Sequence, residues 1–460
     1  MVRPLTPSIA MALLAAMAGC ANLAPGYQRP PPAVPAAPNA SADAPARALA
    51  ELPWREFITD ARLRRLVELA LAHNRDLRVA ALNVERARAQ YQVQEAAALP
   101  NVSLGASASR SKDSGKQFSA SLGLAAFELD FFGRIKNLNE SALQGFLASD
   151  ESRRSAQISL VAETANAWLT LAADLERQRL AERTLASRQQ SLALTQRRYE
   201  LGAIGGLPLA QAQTALDSAR VELASTQAQI AQDRNALELL LGTAVPAELL
   251  PRAEQGPGTD VALLPALPAG VPSSVLQQRP DVLAAEHQLQ GAHADIGAAR
   301  AALFPRITLT GSVGSASTEL GKLFERGSWS FGPSISLPIF DGGANRANVR
   351  ASELSRDIAL AQYDKAVQSA FREVADALAV GASLGERMAA QQALYAATEH
   401  QLRLAEASYR AGASGQLELL DAQRSLYAAE QALIALRQTA QANRLTLYKA
   451  LGGGWKNSEA

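Results

Sequence analysis

The segment Tyr199-Glu-Leu-Gly-Ala-Ile-Gly-Gly-Leu-Pro-Leu-Ala-Gln-Ala-Gln213 returns 210 residues later as Tyr409-Arg-Ala-Gly-Ala-Ser-Gly-Gln-Leu-Glu-Leu-Leu-Asp-Ala-Gln423, with eight of fifteen positions identical. Each copy occupies the same place in a larger order: helix, two short alternating strands, a very long helix, this turn, then another helix. A chain that carries one such unit twice is a tandem duplication, and that constrains the fold before any local reading does. The spans are a first repeat over 54–242, an inter-repeat element over 243–273, a second repeat over 274–452 and a C-terminal tail over 453–460.

Bulk properties exclude several classes. A net charge of +1 over 460 residues gives no electrostatic footprint for nucleic acid. The four histidines, at 73, 287, 293 and 400, have no ligand spacing with a cysteine or carboxylate cluster, so no metal site is read. No Gly-rich phosphate loop, Gly-x-Ser-x-Gly elbow or Cys/His pair appears, and no catalytic residue is assigned.

The first residues form a targeting segment. Arg3 supplies positive charge, Ile9 to Met17 is an apolar core, and Ala18-Gly19 precedes Cys20, the chain's one cysteine. This arrangement resembles a bacterial lipobox, with 1–19 as signal peptide and a mature chain that starts at Cys20 with lipid on its thiol and amine. Ala21 and Asn22 replace the Asp that commonly retains such lipoproteins in the inner membrane, so the pattern points to the outer one. The Pro- and Ala-rich stretch that follows, within 20–53, reads as a tether. Beyond residue 20 no run of eighteen apolar residues occurs, so a spanning structure would have to be a closed barrel.

Two stretches per chain switch from the helical period to a period of two. Val102, Leu104, Ala106 and Ala108 alternate with Ser and Gly. After a polar turn so do Phe118, Ala120, Leu122 and Leu124, giving a hairpin over about 101–129. Ile307, Leu309 and Val313, then Trp329, Phe331, Ile335 and Leu337, repeat the pattern over about 306–340. The polar face is almost all Ser, Thr and Gly, without the Lys and Glu of a solvated surface, and the runs have the length of tilted membrane strands. Phe118, Trp329 and Phe331 are candidates for an interfacial aromatic belt.

No proline interrupts 134–201 or 344–411, each 68 residues, or roughly 100 Å of helix at about 1.5 Å per residue. Helices over 209–241 and 416–451 follow the two turns. The 344–411 segment contains nineteen alanines and no clean Leu seam, as suits a helix packed on two flanks at close approach. Asp76 and Asp281 are expected to cap the helices that begin the two repeats.

Four membrane-length strands cannot close a barrel, because the smallest known have eight. The wall must therefore be shared between chains, and a small Ser/Thr/Gly inner face suits the open lumen of twelve strands. Together the paired hairpins, the long helices, the Tyr-x-x-Gly-Ala-x-Gly…Leu-Leu-Asp421-Ala-Gln423 segment, the Arg-Pro-Asp281-Val start and Gly-Gly-Gly-Trp455 resemble the TolC/OprM family of outer-membrane efflux factors, in its lipoprotein branch. The resemblance covers essentially the whole mature chain. It implies an α+β membrane protein: a homotrimer with a twelve-stranded β-barrel in the outer membrane, a twelve-helix α-barrel across the periplasm and an equatorial belt. It implies two partners, a periplasmic adaptor protein and an inner-membrane pump of the resistance-nodulation-division type, with drugs, detergents or other amphiphiles as cargo.

The same resemblance places a gate at the periplasmic tip. The aspartate matching Asp421 lines the aperture, Leu417 narrows it, and Tyr409 and Arg410 tie the inner helix pair to its neighbours. Glu418, one helical turn from Asp421, offers a second acidic ring. Ser414 stands where other members carry a bulky basic residue. The first-repeat equivalents are Tyr199, Leu207 and Gln211, and Gln211 replaces the acid. Two other readings compete: a type I protein-secretion duct on the same architecture, and a structural periplasmic coiled-coil rod.

Overall fold

A computed structural model describes residues 22–31, 52–112, 115–251 and 276–453. The signal segment, Cys20, most of the tether, residues 252–273 of the inter-repeat element and Trp455 lie outside the described residues. In chain order the elements are α1 (Trp54–Phe57), α2 (Ala61–His73), α3 (Arg75–Ala96), β1 (Val102–Ser111), β2 (Gly115–Leu129), α4 (Arg134–Glu200), α5 (Gly206–Leu241), α6 (Pro280–Ala301), β3 (Arg306–Ser317), β4 (Gly327–Ser336), α7 (Ala344–Arg410) and α8 (Gln416–Ala450). Both α4 and α7 have 67 residues. No helix among the described residues is long and apolar enough to cross a membrane.

The described residues fall into two compact units. One comprises 22–31, 81–112, 115–152 and 281–367. The other comprises 52–80, 153–251, 276–280 and 368–453.

The first unit holds one antiparallel four-stranded sheet in the order β1-β2-β3-β4. Its register explains the alternation read in the sequence. Leu104, Leu122, Val313 and Trp329 pair in succession across all four strands, making one apolar row. The neighbouring row is Ser103, Gly123, Ser312 and Ser330, in which the Ser312 and Ser330 hydroxyls lie 2.8 Å apart. One face is therefore hydrocarbon and the other small and polar. The apolar face is open: Trp329 is 81 % and Leu104 79 % exposed. A bulge between Leu124 and Phe127, with Ala126 at φ 40°, interrupts the β2–β3 register. Below it Glu128 ties the strand ends to the helix. Arg134 grips its carboxylate with two bonds of 2.8 and 2.7 Å, and Arg306 Nε adds a third at 2.6 Å. Arg29 and Tyr27 hold the N-terminal segment to Glu286 on α6.

The second unit is helical. Its core gathers Phe57, Leu63 and Leu66 with Trp168 and Leu171 of α4, Leu237 and Leu241 of α5, and Tyr448 of α8. Phe57 stacks on Tyr448 at 4.0 Å, and the Trp168 indole donates to the Leu249 carbonyl at 3.1 Å, so the buried polar atom of the largest side chain is satisfied. Arg279, itself buried, donates to the Ala450 carbonyl at 2.9 Å and to Glu373 at 2.8 Å.

The expected helix caps are corrected. Asn74 caps α3: its Oδ1 accepts from the Leu77 amide at 2.8 Å, while its Nδ2 donates to the Leu240 carbonyl at 2.9 Å. Asp76 lies inside the first turn. Asp281 likewise sits in the first turn of α6, because Pro280 takes the first helical position, where its missing N–H costs nothing. Both carboxylates still favour the positive end of the helix dipole.

α5 stops at Gly242, whose φ is 67°, and a Cβ there would lie 2.4 Å from the His73 carbonyl oxygen. Both the backbone conformation and the contact demand glycine. The Gly242→Ala protein is expected to lose about 2 kcal/mol or more of stability, read as a lower thermal midpoint by far-UV circular dichroism. A midpoint equal to that of the parent would contradict this packing.

Candidate functional site

The two repeated turns close alike. α4 ends with Gly202 at φ 72° and α7 with Gly412 at φ 75°. The Gly202 amide donates to the Tyr199 carbonyl at 2.9 Å and that of Ala203 to Arg198 at 2.9 Å; their counterparts are Gly412 to Tyr409 at 3.1 Å and Ala413 to Ser408 at 2.9 Å. The six-to-one bond with a left-handed glycine is the Schellman stop. Gly205 and Gly415 then start α5 and α8 in extended conformation, without a side-chain cap. Each turn thus has the same backbone and leaves free amides at a helix start.

The side chains on these turns differ. Tyr409 is buried, and the Arg198 guanidinium lies 5.1 Å from its ring centroid, while Tyr199 is 47 % exposed. This cation–π contact joins the end of α4 to the end of α7. Arg410 pairs with Glu406 of its own helix at 2.9 Å. Asp421, exposed, pairs with Arg424 one turn on at 2.7 Å. Glu418 is exposed in the first turn of α8, and Leu417 and Leu207 are exposed too.

The structure brings Leu207, Gln211 and Leu417 together around one groove of about 620 Å³ between α4, α5 and α8. The Ser414 hydroxyl and both polar atoms of the buried Gln416 carboxamide find no hydrogen-bond partner among the described residues. Sequence reasoning missed Arg198, Arg188, Gln416 and Arg424. Only Arg424 carried a legible signal, its spacing of three from Asp421.

Farther along the same helices a polar layer crosses the packing. Asp174 and Arg177 of α4 pair, and Arg177 reaches Gln438 of α8 at 3.3 Å. From α5, Asp233 accepts from Gln229 at 2.9 Å and has the Asp174 carboxyl as a neighbour. Both aspartates are buried. Burial, and then the hydrogen bond with Asp174, push the Asp233 carboxyl up to about 6.

A family model for outer membrane efflux proteins matches residues 66–243 and 271–453. The chain belongs to that family. It is 44 % identical to the probable efflux pump outer membrane protein TtgC of Pseudomonas putida, over 97 % of this chain and 95 % of that one. It is 40 % identical to the probable outer membrane lipoprotein SilC of Salmonella typhimurium, over 95 % of this chain and 96 % of the relative. A crystal structure of CusC, described as forming a transmembrane channel, superposes with a TM-score of 0.84 at 40 % identity, covering 94 % of this chain and 99 % of that one. The chain is an outer-membrane efflux channel component of a tripartite pump, and its family is one of transport ducts.

An unfolded aspartate releases its proton near about 3.9, whereas folded Asp233 holds one to about 6. Its contribution to stability is therefore complete below about pH 4 and lost as pH rises through about 6. Asp233→Asn is expected to flatten this part of the stability–pH curve and to raise stability at near-neutral pH by on the order of 1–2 kcal/mol. Thermal midpoints measured across that range check it; an unchanged slope would contradict the raised proton affinity of Asp233.

Proposed function

We propose that three copies of this chain build a passive export duct, gated at its periplasmic tip. The observation that carries the reading is the sheet with two open edges and a continuous exposed apolar face. In hydrocarbon an unpaired backbone group costs several kcal/mol, so β1 and β4 must find strands on neighbouring copies. Three sheets of four strands give a twelve-stranded barrel, and the Ser/Gly rows face its lumen. The four helices α4, α5, α7 and α8 of each copy supply a twelve-helix periplasmic tube. The two repeats, 54–242 and 274–452, are the units of this quasi-symmetry, and the inter-repeat element contributes to an equatorial belt.

Cys20 carries the N-acyl and diacylglycerol lipid that anchors each copy, and no other cofactor takes part. The duct performs no catalysis. A periplasmic adaptor docks at the tip and links it to an inner-membrane pump of the resistance-nodulation-division type, whose cargo is drugs, detergents or other amphiphiles.

The gate is built from the second turn. Around a threefold axis Leu417 forms an apolar ring, with Asp421 and Glu418 as acidic rings beside it. Tyr409 holds the end of α7 against Arg198, while Arg410 and Tyr199 flank the turns. Because Leu207 and Gln211 line the same groove as Leu417, the uncharged first repeat contributes wall and no charge.

Asp421→Ala combined with Tyr409→Ala is expected to leave the oligomer intact, raise single-channel conductance in planar bilayers several-fold and reduce cation preference in a salt gradient. Unchanged conductance and selectivity would count against this gate.

A further inference from the structure

Arg188 lies on α4 about three turns from Tyr199 and is 8 % exposed. Its Nη1 donates to the Gln423 side-chain carbonyl on α8. Among the described residues no carboxylate pairs with it. Burial, with Arg424 nearby, holds the guanidinium below its ordinary range. A guanidinium carries five N–H donors, and a buried cation without a counter-ion is costly. A structure that keeps such a group has a use for its charge.

The group lines the groove of about 620 Å³ between α4, α5 and α8, a size within the usual range for a small-molecule site. Leu207, Leu417 and Leu420 give it apolar walls. Of its other charges, Arg424 pairs with Asp421 at 2.7 Å, and the half-buried Glu222 carboxylate accepts from Gln431 at 3.0 Å, about two turns along α8 from Gln423. Beside Gln423 the groove therefore holds a desolvated positive charge at the side of a hydrocarbon trough.

We propose that this groove binds a small anionic amphiphile, with its carboxylate or sulfonate head on Arg188 and its hydrocarbon body along Leu207, Leu417 and Leu420. The inference rests on the reading of the Leu417 face as the duct entrance, where exported amphiphiles pass. It assigns the tip a recognition role in addition to a gating one: the head group is paired while the body crosses the apolar ring.

The test is equilibrium dialysis of radiolabelled decanoate, with decanol as the uncharged control, against the oligomer in lipid nanodiscs, with empty nanodiscs subtracted. The parent is expected to bind decanoate saturably and about tenfold or more tighter than decanol. Arg188→Gln should erase that preference while the oligomer, checked by light scattering, persists. Arg188→Lys should keep part of it, because the charge remains and only the forked geometry is lost. Leu420→Asn should weaken both ligands alike.

Equal binding of decanoate and decanol, no saturable binding by the parent, or an unaltered preference in Arg188→Gln would each overturn the proposal. So would dissociation of the Arg188→Gln oligomer with no decanoate bound by the parent, which would make a carboxylate of a neighbouring copy the counter-ion. Conductance separates this from the reading beneath it. A protein that binds decanoate through Arg188 yet passes no ions would sink the duct and leave the groove standing.

Discussion

The backbone of the outer strands governs this molecule. Within the sheet, β2 and β3 are paired on both sides, while β1 and β4 each present one row of amide and carbonyl groups to whatever lies beyond. Water would satisfy those groups, but the exposed row of Leu104, Leu122, Val313 and Trp329 calls for hydrocarbon. The two requirements are compatible only if the edges meet other strands. Other features follow. The side chains on the opposite face stay small, as in the Ser103, Gly123, Ser312 and Ser330 row. The bulge at Leu124–Phe127 and the Glu128–Arg134–Arg306 cluster lie where strand gives way to helix.

In the two repeated turns the duplication has kept backbone and released side chains. Gly202 and Gly412 stop two 67-residue helices by the same hydrogen bonds. The chain reverses twice by one device, and each reversal leads into a helix start. Tyr409 is covered by Arg198 and Tyr199 is open; Asp421 stands where the first copy has Gln211. A symmetric scaffold thus carries an asymmetric chemistry, with charge and packing concentrated in the second copy.

Much of the fold is legible in the sequence because it is written in short periods. Alternation at 102–108 and 307–313 fixes which face is greasy, and freedom from proline over 134–201 fixes continuous helix. The Tyr-x-x-Gly turns are legible because only glycine suits their left-handed stop. What escaped depends on how distant helices come into register. Asn74, and not Asp76, caps α3 because its side chain also reaches Leu240, 166 residues on. The Arg198–Tyr409, Arg188–Gln423 and Asp174–Asp233 contacts each join different helices. No local spacing announces them, since a 3.6-residue period gives the face of a helix but not its partner. For the candidate gate, Asp421 and Leu417 are singled out through the family resemblance, whereas the side chains around them are not legible.

Native mass spectrometry of the full chain released from detergent measures the number of copies in the assembly directly. A single assembly of three copies is expected, with sheet content that survives until the assembly comes apart. A monomer that stays intact in detergent, with its four strands still formed, would contradict it.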